Sequence, residues 1–295
     1  MRIPYDSVRD GLNSINQAAE LMAAAQREVS TGRRINVLSD DPLAAQLAVG
    51  EHATLGAVDA YSQSVAAASA RLASVDATLS SFGDKLSSAV VTALSAKGSS
   101  STPASRAAAA EQIRSLRDSL LSDINSQFNG SSTFAGTQVQ GPAYALVGGV
   151  WTYQGDSATT QLAVDQGRVV SVTFDGKAIA QGSDSANVFT VLDDLITAIN
   201  AGDDVAIGAG IAGLERAFDR TLRAQGQLGA DEHGLDDVTA RLGVLRRAAD
   251  ARRSSLEDAN MADAVSKLTN AEQAYHAALA SVSSVERVSL LDYLR

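Results

Sequence analysis

The run Gly208-Ala-Gly-Ile-Ala-Gly213 carries the letters of a dinucleotide-binding loop, whose glycines let backbone approach a pyrophosphate. That chemistry needs a strand before the loop, a helix after it and an acid about 20 residues on. Asp203 to Ile207 could pass as a short strand, and Asp231 lies at a tolerable distance. No parallel strand follows, however, because the chain continues into helical heptads. A glycine-rich loop or a loose helix is the better reading, and no cofactor is expected. His52, His233 and His276 are too scattered for a local metal motif. Asp40-Asp41 has no nearby histidine or third carboxylate, so it is read as a helix start rather than as an acid–base pair. No serine sits in a Gly-x-Ser-x-Gly setting, and there is no cysteine to act as a nucleophile or a thiolate ligand. Asn129-Gly130-Ser131 spells a glycosylation sequon but reads as a turn. No catalytic, cofactor-binding or metal-binding residues are expected, and the chain is not read as an enzyme.

Composition points the same way. The 295 residues contain 4% aromatics and four prolines, with long alanine- and serine-rich stretches. Slender helix packing uses small side chains, so the balance favours extended helices over a bulky sandwich. A net charge of −10 repels duplex nucleic acid and anionic membrane, and no basic stripe offsets it. Met1 to Asp10 carries four charged residues and no apolar core, so a cleaved secretory signal is not expected. No 18-residue apolar run suggests a membrane span.

The elements that would position any site are mostly helical. Val8, Leu12, Ile15, Ala19 and Met22 lie on one narrow seam, interrupted at Gln26, and Thr31-Gly32 reads as a helix end. Ser39-Asp40-Asp41-Pro42 then starts a helix, with either acid as cap and Pro42 in the first turn. From Val58 through Tyr61, Val65, Ala68, Leu72, Val75, Leu79, Phe82, Leu86 and Ala89 to Ala93, steps of three and four alternate without a break. That calls for a long helix in a coiled-coil-like bundle. Gly98 to Thr102 makes a turn, and Pro103 opens a helix expected to run to about Phe128 and stop at Asn129-Gly130.

The period then drops from 3.5 to 2. Val170, Val172 and Phe174 alternate, while Gly148-Gly149 and Asp175-Gly176 both read as hairpin turns. Tyr144, Trp151 and Tyr153 fall in this stretch, so residues 143–180 predict a small antiparallel β module. Helices resume from Val188 to Asn200 and again before Gln225. Leu235, Val238, Leu242, Leu245 and Ala249 share one seam; after a phase shift near Leu256 to Met261, a second runs through Val265, Leu268, Tyr275, Leu279 and Val282. The fold class expected is mainly α with a small β insertion. It is a long antiparallel coiled-coil-like helical bundle with paired N- and C-terminal helices. The expected division is 1–42 with 255–295 as the terminal pair, 43–137 with 187–254 as the bundle, and 138–186 as the outward β module. Terminal helices of this kind are marginal alone and must pair with each other, with a neighbour, or both.

Several runs resemble the flagellin superfamily. Ser30-Thr-Gly-Arg-Arg-Ile-Asn-Val-Leu-Ser-Asp-Asp-Pro-Leu-Ala45 is similar to its N-terminal signature. The Asp-Asp-Pro form looks more like the hook-associated junction branch than filament flagellin, which usually has alanine in place of Pro42. Ser132-Thr-Phe-Ala-Gly-Thr137 resembles an element of that branch at the helix-to-β transition, with Ser132 where an aromatic is common. Tyr153-Gln-Gly-Asp156, Ser255 to Asp263 and the ending Ser289 to Leu294 also match, whereas Gln127 to Gly130 looks equally like filament flagellin. The resemblance implies a structural subunit that joins flagellar hook to filament, with filament flagellin as the alternative. It also implies head-to-tail contact with copies of itself, a neighbouring hook-associated protein and filament flagellin as partners, and an export chaperone. The expected location is the extracellular flagellum, reached by type III export without a cleaved signal. The expected assembly interface is the terminal seams: Val8, Leu12, Ile15, Met22, Val265, Leu268, Tyr275, Leu279, Val282, Leu290 and Leu291.

Overall fold

The computed structural model describes residues 5–98, 101–138 and 140–293, with side chains described from 9 to 284 within those stretches. It comprises two units, Met1–Val58 with Gly243–Arg295 and Asp59–Leu242.

The second unit is built on the unbroken seam. Helix α2 spans Pro42–Ala96, and its seam residues from Val65 to Ala93 are each at most 5% exposed, with Tyr61 half-buried. Helix α3 (Pro103–Ile124) begins where the turn chemistry placed it. Thr102 caps it by accepting from the Ser105 N–H, and Pro103 occupies the first turn. Ile113, Leu120 and Ile124 are buried. α3 is shorter than its sequence suggests. The Asn125 amide bonds the Tyr144 carbonyl and accepts the Tyr144 N–H, at 2.9 and 2.8 Å, so the chain is captured before another helical turn can form. Gln127–Phe128 (β1) instead pairs with Ser131–Ser132 (β2) across Asn129-Gly130, a hairpin where a helix end was expected.

Two further hairpins follow. Tyr144–Val147 (β3) pairs with Val150–Tyr153 (β4) about Gly148-Gly149, and Gln161–Asp165 (β5) pairs with Arg168–Ser171 (β6), with a bulge between Ala163 and Asp165. All three pairs are antiparallel, and each is a separate two-stranded sheet. Asp175-Gly176 does not make the expected hairpin. Asp175 Oδ1 accepts from the Lys177 N–H and caps a short helix, α4 (Gly176–Ala180). The backbone that would pair with a return strand is already engaged: the Gly176 N–H bonds the Phe134 carbonyl, and Ala135 bridges Asp175.

The few aromatics gather here. Tyr144 is buried with its ring centroid 5.3 Å from Tyr153 and 5.1 Å from Phe189, and Trp151 lies 6.0 Å from Phe189. Phe189 belongs to α5 (Val188–Ala201), as does Asp193, which accepts from the Trp151 indole N–H at 2.8 Å. Burial and that hydrogen bond together fix the β3–β4 hairpin to α5.

Helix α6 (Asp204–Glu257) absorbs the glycine-rich run. Asp203 caps it through the Val205 and Ala206 N–H groups, so Asp203 to Ile207 is a cap and first helical turn, not a strand. A Cβ on Gly210 would lie 2.9 Å from Leu195 Cδ1, and one on Gly213 3.0 Å from Val191 Cγ1. These glycines therefore bring α6 close against α5, which accounts for them without any phosphate. In the later α6 seam Leu235, Val238, Leu242 and Ala249 are buried, but Leu245 is 42% exposed. Helix α7 (Met261–Tyr293) follows after the break at 258–260.

Candidate assembly surface

Helix α1 (Tyr5–Thr31) and α7 form the pair expected of the chain's ends. They run antiparallel: Gly11 lies beside Val282, and Glu28 accepts from Lys267 at 2.9 Å. Between those points the contact alternates small and large residues. Ala18 and Ala25 of α1 and Ala264 and Ala271 of α7 are buried, while Ile15, Met22, Leu268, Tyr275 and Val282 are half-buried. Small residues let the two backbones approach, and a Cβ on Gly11 would stand 2.8 Å from Val282 Cγ2.

The expected interface residues therefore part into groups. Ile15, Met22, Leu268, Tyr275 and Val282 lie in the seam between the two helices. Leu12, Val265 and Leu279 face outward, at 52%, 49% and 40% exposure. Val8, Leu290 and Leu291 lie outside the described side chains. On α1 the seam keeps Ile15 and Met22 as read in the sequence but passes through Gly11 instead of the exposed Leu12, and through the buried Ala18 with Ala19 half-buried beside it. Leu21, 64% exposed, was missed altogether, although it stands four residues before Ala25 on the outer side. A stripe of alanine and glycine carries little hydrophobic signal, so the larger Leu12 drew the reading.

Both helices leave one stitched joint. The Arg34 N–H bonds the Glu257 carbonyl at 2.7 Å, the Ala259 N–H bonds the Gly32 carbonyl at 2.9 Å, and Arg33 bridges Asp258. The Arg34 guanidinium adds bonds to the Leu256 carbonyl and to Asp41. The two acids of Asp40-Asp41 divide the structural work. Asp41 Oδ1 accepts from the Ala44 N–H and caps α2, while Asp40 Oδ2 closes the preceding turn through Asn36 and Val37. The Val37 and Asn36 N–H groups hold Asp40 below the usual carboxylate range. For Asp41 the Ala44 N–H and then Arg34 have the same effect.

His52 pairs with Glu257 at 2.7 Å, and Arg252 with Glu51 at 2.8 Å, joining the first turns of α2 to the last turns of α6. His233 and His276 are exposed. Among the described residues no cluster of three His, Asp or Glu could hold a metal, and no helix is long and apolar enough to cross a membrane. Charge is unevenly shared. The unit holding α1 and α7 has 12 basic and 14 acidic residues, and Asp59–Leu242 has 12 and 20. A nearly neutral surface with exposed leucines is suited to packing against protein; the strongly acidic one is suited to solvent.

Residues 9–139 match the bacterial flagellin N-terminal helical region, and residues 211–294 match the bacterial flagellin C-terminal helical region. The flagellar hook-associated protein 3 of Salmonella typhimurium is 25% identical over 99% of this chain and 98% of its own length. A flagellar hook-associated protein of Vibrio parahaemolyticus has a similar fold, with TM-score 0.72 and 22% identity over 74% of this chain and all of that one. The flagellar junction protein FlgL of Legionella pneumophila superposes with TM-score 0.62 and 14% identity, over 72% of this chain and 100% of that one.

Proposed function

Because this chain belongs to the flagellin family, as a structural protein of the hook-associated protein 3 type and not an enzyme, we propose that it is the adaptor subunit joining hook to filament. Full-length likeness to a hook-associated protein 3 favours this over the filament-flagellin reading of the same signatures. In the proposed mechanism the α1–α7 pair is the assembly element. Its inner seam holds the two helices together, and the outward Leu12, Leu21, Val265 and Leu279 gain burial only against neighbours.

The observation that carries the reading is this unspent apolar face on a nearly neutral unit. Each fully buried leucine is worth about 1.5–3 kcal/mol, enough across several contacts to couple ordering of the pair to assembly. The neighbours in this reading are copies of this chain, another hook-associated protein and filament flagellin, with export through the type III route assisted by a chaperone. Deleting the gene tests it. Cells are expected to keep hooks and to release flagellin monomers into the medium; full filaments on the deletion strain would refute the adaptor role.

A further inference from the structure

The sequence holds a single Asn-Gly pair, Asn129-Gly130, and the fold puts it at the tip of the β1–β2 hairpin. Both residues are exposed, with φ of 51° and 78°. Among the described residues Asn129 is the one residue other than glycine with a positive φ. The ladder pairs Phe128 with Ser131 across the tip, and neither the Gly130 N–H nor the Asn129 side-chain amide has a hydrogen-bond partner among the described residues. A Cβ on Gly130 would meet nothing within 4 Å, so the tip is open to water. The two Asp-Gly pairs are placed differently. Gly11 lies inside α1, where helical bonding holds its nitrogen, and the buried Gly176 donates its N–H to the Phe134 carbonyl at 2.8 Å.

We propose that Asn129 is a self-modification site, converted to aspartate or isoaspartate through a cyclic imide formed with Gly130. The Gly130 nitrogen attacks Asn129 Cγ and gives its proton to water, the bond from Cγ to the amide nitrogen breaks, and ammonia leaves. Water then opens the ring at either carbonyl, so one water enters for each ammonia lost and nothing is oxidised. Glycine suits this step because no Cβ crowds the attacking nitrogen. Closure must swing Asn129 out of its left-handed turn. The ladder that holds the turn is two residues a side, continued by one bond from the Thr133 N–H to the Ser126 carbonyl, and so short a hairpin opens locally at little cost. The product adds a carboxylate one residue from Phe128. Arg71 lies over the Phe128 ring at 5.9 Å and bonds the Ser132 carbonyl at 3.2 Å, yet its Nε is buried without a partner and no carboxylate pairs with it among the described residues. The new charge is therefore made beside an unpaired cation.

This site does not depend on the adaptor reading, and purified full-length chain tests it. The protein is held in warm, mildly alkaline buffer, with a parallel sample in denaturant, and each asparagine is followed by mass spectrometry after digestion. In the folded chain, conversion at Asn129 is expected to run at least tenfold faster than at Asn125 or Asn187, whose side chains are hydrogen-bonded. Hydroxylamine added during the incubation should cleave the chain between Asn129 and Gly130, the signature of the ring. Asn129→Gln, which would need a larger ring, should lose both conversion and cleavage. Asn129 left intact in the folded chain while the denatured sample converts would overturn the proposal, since the hairpin would then be protecting it. Conversion without hydroxylamine cleavage would overturn the cyclic route.

Discussion

At the scale of single residues, the motifs that could have meant chemistry turn out to position backbone. Gly210 and Gly213 exist for the contact of α6 with α5. Gly210→Val should destabilise the chain by about 1–3 kcal/mol through overpacking against Leu195, read as a lower thermal midpoint with no change in any nucleotide binding. Asp156, noted in the sequence only as part of a run shared with the family, also holds backbone. Its carboxylate accepts from the Thr137 hydroxyl and N–H and from the Ala158 N–H, and these bonds, the Thr137 hydroxyl foremost, lower its pKa. A carboxylate whose folded pKa is depressed contributes stability that is fully present above its ordinary value and is lost as pH falls through the folded value. Exchange protection of the Thr137 amide should therefore hold above about pH 4 and fade below it. Asp156→Asn should show the loss already at neutral pH. Unchanged protection in that variant would mean the loop is held by other contacts.

At the scale of elements, the long regular seam was legible because Val65 to Ala93 repeats one spacing in large apolar residues, and burial follows it position by position. Helix starts were equally plain at Pro103 and Asp41-Pro42, where proline lacks an N–H the first turn does not need and Asp41 answers an unpaired one; the Thr102 cap emerged only in the structure. What sequence could not give were outcomes decided by distant partners. Asp175-Gly176 reads as a hairpin locally, but Phe134 and Ala135, forty residues earlier, take its backbone. Helix α3 stops because Asn125 finds Tyr144. In the α1–α7 pair the alanine stripe was too faint to show Gly11 and Ala18 in the seam. That pair makes two predictions. Gly11→Val should crowd Val282 and loosen the pair, so that limited proteolysis trims α1 and α7 faster while the Val65 to Ala93 core stays resistant. Leu279→Asp should leave the unfolding free energy within about 0.5 kcal/mol of the parent, since the residue faces outward, yet abolish incorporation and motility. Normal motility in that variant would remove the outer face of α7 from assembly.

At the scale of the whole molecule, the two units carry different physics. One is almost neutral, lined with exposed leucines and built from the paired ends of the chain; the other holds the buried coiled-coil seam, the three hairpins and most of the negative charge. The family matches fall on the two helical ends and leave residues 140–210 between them, which include the β3–β4 and β5–β6 hairpins. Substitutions at the hairpin tips, such as Val147→Thr beside Gly148, should accordingly be tolerated in motility assays better than changes to α1 or α7. The central claim is that this chain is added as a short adaptor zone and then stops. Gold-labelled antibody on intact flagella measures that directly. The adaptor account predicts a narrow band where hook meets filament, and label running along the full filament would contradict it.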